Sequence, residues 1–307
     1  MCARLDSNLK SNDILCPNQL GFRKNFNTSD AIIKFLDYVY SSLDKKQSTI
    51  AVYLDFSKAF DTVNDEILMS KLQHNGIRGV MLSWFKSYLI NRKQYVSVKN
   101  FSSSMWNITL GVPQGSVLSP VLFILYINDM HRSSDHIRVV HFADDTTVFT
   151  SNSDIDNVNA SVNRELVGVD NWLKTNRLSQ NGSKTSYTIM SNQKNELDIK
   201  IQETVIMKVS TVKFLGITLD ENLTFKDHVN KVTRNISKSV GVMRRLHCQL
   251  SAKAMVKLFY SLVYSHLAYA LLAWGRSRST NADNIKCAHT RACKLLTDNN
   301  QKILTFH

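Results

Sequence analysis

Acidic residues are in short supply in this sequence. Its 307 residues carry 25 Asp and Glu against 38 Lys and Arg, a formal net charge of +13. That imbalance points to a polyanionic partner, nucleic acid before a membrane surface. Long apolar runs are missing as well. The most apolar late stretch, Leu262 to Trp274, contains His266 and is too short to span a bilayer. The opening residues Met1 to Lys10 are polar, which excludes a secretory signal at this end of the sequence. Cysteine is too sparse for a disulfide framework: Cys2, Cys16, Cys248, Cys287 and Cys293 are odd in number and scattered. Free thiols in a reducing compartment follow, so the expectation is an intracellular protein of cytoplasm and nucleus. The Cys287-x-His289-x-x-x-Cys293 cluster lacks the fourth ligand and the spacing of a zinc knuckle. Internal repeats and low-complexity linkers are absent too. What is present is an apolar content of 43%, sufficient for a substantial core.

Periodicity divides the chain. Thr28-Ser29-Asp30 reads as a helix cap, followed by an apolar face of Ile32, Ile33, Phe35, Leu36, Val39 and Tyr40. Ile50 to Leu54 is a short, continuous apolar run, the signature of a strand buried on both faces, and it ends in Asp55. A second acid, Asp61, is expected either to join Asp55 or to cap the next helix at 66–74. Helical spacing returns over 77–93, with strands expected at 94–98 and 107–110. Gly111-Val112-Pro113-Gln114-Gly115-Ser116 then forms a loop before a helix at 121–127, where small residues allow a bulky ligand to approach the backbone. A long amphipathic helix capped by Ser153-Asp154 runs to about Asn176. Leu178 to Thr185 reads as a turn, 187–190 as a strand, 197–209 as a hairpin and 212–220 as one further strand.

From Phe225 onward the pattern is purely helical, with further helices expected at 252–273 and 281–296. Val229, Val232, Ile236, Val240 and Met243 make one face and Lys231, Arg234, Lys238 and Arg245 the other. Residues 226–257 hold eight Lys and Arg against one Asp, more than half the net charge in a tenth of the chain. A solvated helix usually mixes both signs, so this face is expected to meet nucleic acid. The change of pattern near 224 is the expected domain boundary.

The centre of the sequence is Val139 to Phe149, two apolar arms around Ala143-Asp144-Asp145. The arms read as strands and the centre as a tight turn. Neighbouring strand residues point to opposite faces, but a turn lets both carboxylates approach one point. Two adjacent carboxylates repel unless a cation sits between them, and oxygen ligands suit Mg²⁺ or Mn²⁺. A solvated hairpin tip explains the same pair.

Five blocks in order carry a resemblance: Asp55-Phe56-Ser57-Lys58-Ala59-Phe60-Asp61, Gly111 to Ser116, Phe142 to Asp145, Leu178 to Thr185 and Phe214-Leu215-Gly216. From about Gln19 to Trp274 the chain resembles the reverse transcriptases of non-LTR, jockey-like retrotransposons. The resemblance implies an α+β fold: a right-hand polymerase palm, an antiparallel sheet with packed helices, with partial fingers and a C-terminal helical thumb. The implied divisions are 1–49 for partial fingers, 50–223 for the palm with remaining fingers elements, and 224–307 for the thumb and an extension. It implies that Asp55, Asp144, Asp145 and the main-chain carbonyl of Phe56 hold two Mg²⁺ ions, with Mn²⁺ able to substitute. It implies Phe60 as a gate against the 2′-hydroxyl, where a buried core ring is the alternative. Gln114 and Gly115 would contact nucleotide and template, and Lys184 would protonate the leaving pyrophosphate. Phe214, Leu215 and Gly216 would grip the primer, and Lys231, Arg234 and Lys238 the duplex backbone.

The implied partners are an RNA template, a DNA primer and deoxynucleoside triphosphates, with no membrane. An endonuclease would come from a missing upstream domain or act in trans. Further fingers blocks should precede Gln19, and only 18 residues do, so an N-terminally truncated polymerase domain is expected. The implied activity is RNA-directed DNA polymerisation. The alternative is an inactive remnant that retains nucleic-acid binding.

Overall fold

The computed structural model describes residues 1–134, 136–191, 197–201, 204–275 and 279–304. They form two compact units, Met1–Ala31 with Tyr38–Val209, and Ile32–Asp37 with Ser210–His307. The division falls ahead of the pattern change at 224, because the strands after Val209 group with the helices that follow them.

The first unit begins with α1 (Cys2–Ser11), the two ends of α2 (Thr28–Asp44), β1 (Ser48–Leu54), α3 (Asp65–His74) and α4 (Gly79–Leu89). Short strands follow: β2 (Arg92–Gln94), β3 (Ser97–Val98), β4 (Phe101–Ser102) and β5 (Trp106–Ile108). Next come α5 (Ser119–Tyr126), β6 (Arg138–Phe142), β7 (Asp145–Asn152), α6 (Ile155–Thr175) and β8 (Ser186–Met190). Two-residue strands β9 (Lys200–Ile201), β10 (Thr204–Val205) and β11 (Met207–Lys208) close the unit. The tip of the expected 197–209 hairpin, residues 202 and 203, lies outside the described residues.

The main sheet has the order β11-β8-β1-β7-β6. β1 is central and antiparallel to both neighbours, with Val52 opposite Val148 on one side and Tyr187 on the other. All seven of its residues are buried, as an unbroken apolar run requires. Helices α3, α5 and α6 join this core: Leu68 and Leu72, Leu122 to Tyr126, and Val158, Val162, Leu166, Val169 and Leu173 are buried with it. The result is the mixed α and β, sheet-and-helix architecture expected of a polymerase palm.

Several local expectations change. The cap of α2 is Asn27, in a reciprocal capping box with Asp30, because only Asn27 precedes the first helical residue in extended conformation. Asn64, not Asp61, caps α3 by accepting from the Ile67 N–H at 3.1 Å.

In the second unit, 212–220 is a hairpin rather than one strand: β12 (Thr211–Phe214) turns at Leu215-Gly216 into β13 (Ile217–Asp220). Both turn residues have positive φ, and the β-rich composition conceals the reversal. Then come α7 (Lys226–Leu246), α8 (Ala252–Phe259), a π-helical segment (Tyr260–Tyr264), α9 (Ser265–Ala268), α10 (Leu271–Trp274) and α11 (Ser279–Leu304). The expected single helix at 252–273 is broken where Ala270 adopts a left-handed conformation. On α7 the pattern holds residue by residue. Val229, Val232, Ile236, Val240 and Met243 are buried while Lys231, Arg234, Lys238, Arg244 and Arg245 are exposed. No helix among the described residues is long and apolar enough to cross a membrane.

Candidate active site

β1 ends at Leu54, and the chain then turns so that Asp55 leaves the sheet edge half-buried. The segment 178–185 fixes this exit. Asn181 N–H donates to the Asp55 carbonyl at 2.7 Å, and Ser57 N–H donates to the Ser179 carbonyl at 2.8 Å. The Asp55 N–H donates to Thr185 Oγ1 at 3.4 Å. The same segment carries Lys184, whose Nζ lies 3.8 Å from Asp55 Oδ2.

Asp144 arrives on the β6–β7 turn. Ala143 occupies the left-handed region at φ 58°, which closes the reversal in two residues. A strap ahead of α2 holds this turn from behind. Asn18 and Leu20 exchange main-chain hydrogen bonds with His141, each 2.9 Å long. Buried Gln19 accepts from the N–H groups of Gly21 at 2.8 Å and Ala143 at 3.3 Å. A Cβ on Gly21 would lie 2.1 Å from the Ala143 nitrogen, so only glycine lets the strap approach so closely. His141 is fully buried, with Nδ1 at 2.8 Å from Thr146 Oγ1. Burial, with a smaller contribution from the charge of His131, pushes its pKa down to about 3 and keeps the ring neutral.

The glycine-proline loop supplies the third side. Gly111 N–H donates to the Val63 carbonyl at 2.7 Å and Val112 N–H to the Phe60 carbonyl at 2.9 Å. Gly111 has φ +84°, and a Cβ there would sit 2.7 Å from the Asp61 carbonyl oxygen. The loop therefore lies directly on the Asp55–Asp61 segment, and Gln114 Nε2 donates to Asp61 Oδ1 at 2.7 Å. Phe60 is half-buried, stacked on Phe123 at 4.4 Å with its edge toward Phe22 at 6.5 Å.

These pieces enclose an open cleft of about 520 Å³ lined by Asp55, Phe56, Phe60, Asp61, Gln114, Asp144 and Lys184, among others. Six of the residues expected at the site thus meet in one place. Gly115 and Asp145 are not among the lining residues. Asp145 already belongs to β7, opposite Phe142, where strand alternation resumes and parts it from Asp144. Among the described residues no group of three or more His, Cys, Asp and Glu side chains is gathered to hold a metal ion. The oxygen-only pair Asp55 and Asp144 nonetheless suits a hard divalent cation.

The other expected residues lie in the second unit. Phe214 is buried against Phe35, with ring centroids 5.2 Å apart, while Leu215 is half-buried and Gly216 exposed at the hairpin turn. Tyr269 donates to the Leu215 carbonyl, and Lys231, Arg234 and Lys238 form an exposed basic row on α7. Sequence reasoning missed the strap residues Gln19 and Gly21 and the role of Asn181. Only a polar Gln-Leu-Gly triplet in a segment without periodicity marked the strap.

Residues 3–219 match the family described as reverse transcriptase (RNA-dependent DNA polymerase). Among curated proteins, the chain is 28% identical to a probable RNA-directed DNA polymerase from transposon BS of Drosophila melanogaster, over 96% of its own length and 34% of the relative's. It is 25% identical to the RNA-directed DNA polymerase from mobile element jockey of the same species, over 91% of its length and 32% of the relative's. The chain therefore spans about a third of the length of these relatives. Among solved structures, apo telomerase from Candida tropicalis superposes with a TM-score of 0.52 at 14% identity, covering 99% of this chain and 50% of that one. Telomerase from Candida albicans gives 0.51, also at 14% identity, covering 96% and 54%. These two likenesses concern the fold.

Proposed function

Because the chain belongs to the reverse transcriptase (RNA-dependent DNA polymerase) family, we propose that it extends a DNA primer on an RNA template, and that the Asp55–Asp144 cleft is where it does so. The observation that carries this reading is the convergence of a strand-end carboxylate, a hairpin-turn carboxylate, a lysine and a glutamine on one open cleft. Asp55, Asp144 and the Phe56 carbonyl would hold Mg²⁺ or Mn²⁺, while Asp145, already in β7, stands outside the cleft lining. Two such ions, when bound, lower the pKa of the attacking hydroxyl and stabilise charge on the leaving oxygen.

The chain's own residues do the rest. Asp55 and Asp144 supply the negative charge that draws cations and their triphosphate to the cleft. Lys184, within ion-pair reach of Asp55, is placed to donate a proton to the departing pyrophosphate. Phe60 forms a flat wall that excludes a 2′-hydroxyl and so favours deoxynucleoside triphosphates. Gln114, held by Asp61, orients the nucleotide against the template base. In the second unit, Leu215 and Gly216 at the hairpin turn would meet the primer, with Phe214 holding the turn from the core. The exposed face of α7 would bind the duplex backbone through Lys231, Arg234 and Lys238.

Primer extension on poly(rA)/oligo(dT) with Mg²⁺ or Mn²⁺ tests the proposal. The chain extends the primer, and Asp144→Ala lowers the rate by at least about a hundredfold while duplex binding persists. Failure of both proteins to extend a duplex that both bind would identify a binding remnant instead.

A further inference from the structure

Helix α5 starts just after the glycine-proline loop at the cleft and ends about 12 Å further on, eight residues at 1.5 Å each. Where it ends, a separate cavity of about 350 Å³ opens against the last turn of α3. It shares no lining residue with the Asp55–Asp144 cleft. Two elements line it with hydrogen-bond donors. Ser70 and His74 stand four positions apart on α3 and so share a face. His131 and Arg132 follow α5 in a 3₁₀ turn. Among the described residues, the side chains of Ser70, His74 and Arg132 have no hydrogen bond or ion pair. His131 Nδ1 lies 2.8 Å from the Asn128 carbonyl, which can only accept, so Nδ1 carries the proton and Nε2 is left for a ligand.

The charges at the cavity do not cancel. Lys71 is committed: its Nζ donates to Asp129 Oδ1 at 2.7 Å and to the Tyr126 carbonyl at 2.5 Å. Asp129 Oδ1 also accepts from Trp172 Nε1 at 3.2 Å. Asp129 is the single acid in the lining, and Lys71 neutralises it. What remains is the Arg132 guanidinium and two imidazoles that can each add a proton. Arg132 repels a metal ion, and among the described residues no third His, Cys, Asp or Glu completes a metal site. A hydroxyl, a guanidinium and two rings instead suit the oxygens of a tetrahedral oxyanion. The volume sits at the lower end of the roughly 300–1,000 Å³ of ligand cavities, which admits a small anion and excludes a duplex.

The wall of this cavity is also the anchor of the strap. Asn128 Nδ2 donates to the Ile14 carbonyl at 2.8 Å, and the Cys16 N–H donates to Asn128 Oδ1 at 2.7 Å. From that anchor the strap runs through Asn18 and Gln19 to His141 and Ala143. Ile14, Asn128 and His131 all line the cavity, so a ligand there bears on the residues that fix the strap.

We propose that this cavity binds a free phosphate-class dianion through Ser70, His74, His131 and Arg132, and that its occupancy steadies the strap behind the Asp144 turn. A ligand that binds only the folded, anchored state stabilises that state by mass action.

Isothermal titration calorimetry of the full chain with inorganic phosphate, in EDTA and at fixed ionic strength, tests the site. The wild-type chain binds phosphate. His74→Gln with Arg132→Gln, at two exposed positions, weakens binding by roughly tenfold or more, while the thermal midpoint without phosphate stays unchanged. Lys231→Ala with Lys238→Ala, on the basic row of α7, leaves phosphate binding as it was. Absence of binding by the wild type, binding that survives the cavity variant, or loss in the α7 variant instead would overturn the proposal. A fall in duplex affinity in the cavity variant would assign the site to a nucleic-acid backbone and overturn it equally. Bound phosphate also slows amide hydrogen exchange at Cys16 and Ala143, and unchanged exchange there with phosphate bound would sink the link to the strap. No readout involves primer extension, so the site stands or falls apart from the polymerase reading.

Discussion

At Gln19 one side-chain oxygen serves two main-chain donors, those of Gly21 and Ala143, in a site with almost no solvent. Removing a buried acceptor strands its donors at a cost of about 1–3 kcal/mol. Ala143 is the left-handed residue that aims Asp144, so the stranded donor lies next to the candidate chemistry. Gln19 is not among the residues that line the cleft and is a positioning residue. We expect Gln19→Ala to lower the thermal midpoint and to reduce kcat for primer extension severalfold or more, with KM for the primer little changed. A parallel fall in primer affinity, or a lowered midpoint with kcat intact, would reduce Gln19 to a structural prop. The placement of Asp55 at the end of a buried strand and of Asp144 in a tight turn was legible in the sequence, because a carboxylate at each of these points breaks a local apolar pattern. Gln19 was not, because its role is a bridge to His141 and Ala143 more than a hundred positions away, and no local periodicity encodes that.

Elements built from one unbroken pattern were readable, and those that change conformation inside a uniform composition were not. β1 and α6 announced themselves by an apolar run and a helical stripe. The β12–β13 reversal was hidden, since Phe214-Leu215-Gly216-Ile217 reads as continuous strand until two positive φ angles intervene. The breaks after α8 were hidden likewise, because Tyr260 to Trp274 keeps helix-compatible residues throughout. Helix α7 shows the opposite case. Its apolar stripe is buried and its basic stripe exposed, as expected from sequence alone. If that face binds duplex backbone, each cation that neutralises a phosphate adds about 0.9 to the slope of log K against log salt. Replacing Lys231, Arg234 and Lys238 by Ala should therefore flatten the slope by up to about 2.7 and weaken binding at low salt. An unchanged slope from the same titration would show that α7 faces solvent rather than the duplex.

Across the described residues, two buried histidines are held neutral, one in each unit. His141 supports the turn carrying Asp144. His228 stands in the first turn of α7, buried, its Nδ1 accepting from Thr218 N–H at 3.3 Å and its ring set edgewise to Trp274 at 5.5 Å. Burial pushes the His228 pKa down to about 4, with the charge of Lys231 adding to the effect, as burial pushes His141 down to about 3. An unfolded chain protonates both rings near pH 6.5. Below that value the unfolded state binds protons that the folded state refuses, so stability falls with pH from about 6.5 down to about 4, and for His141 to about 3. Each ring contributes at most about 1.4 kcal/mol per pH unit within its window. Urea midpoints measured at pH 7.5, 6 and 5 should decline steadily, and His228→Asn, which preserves an acceptor for Thr218, should reduce the decline in probes of the second unit. A flat profile between pH 6.5 and 5 would mean that the rings protonate without unfolding, and that the cores around Thr146 and Trp274 admit water and charge more readily than their packing indicates.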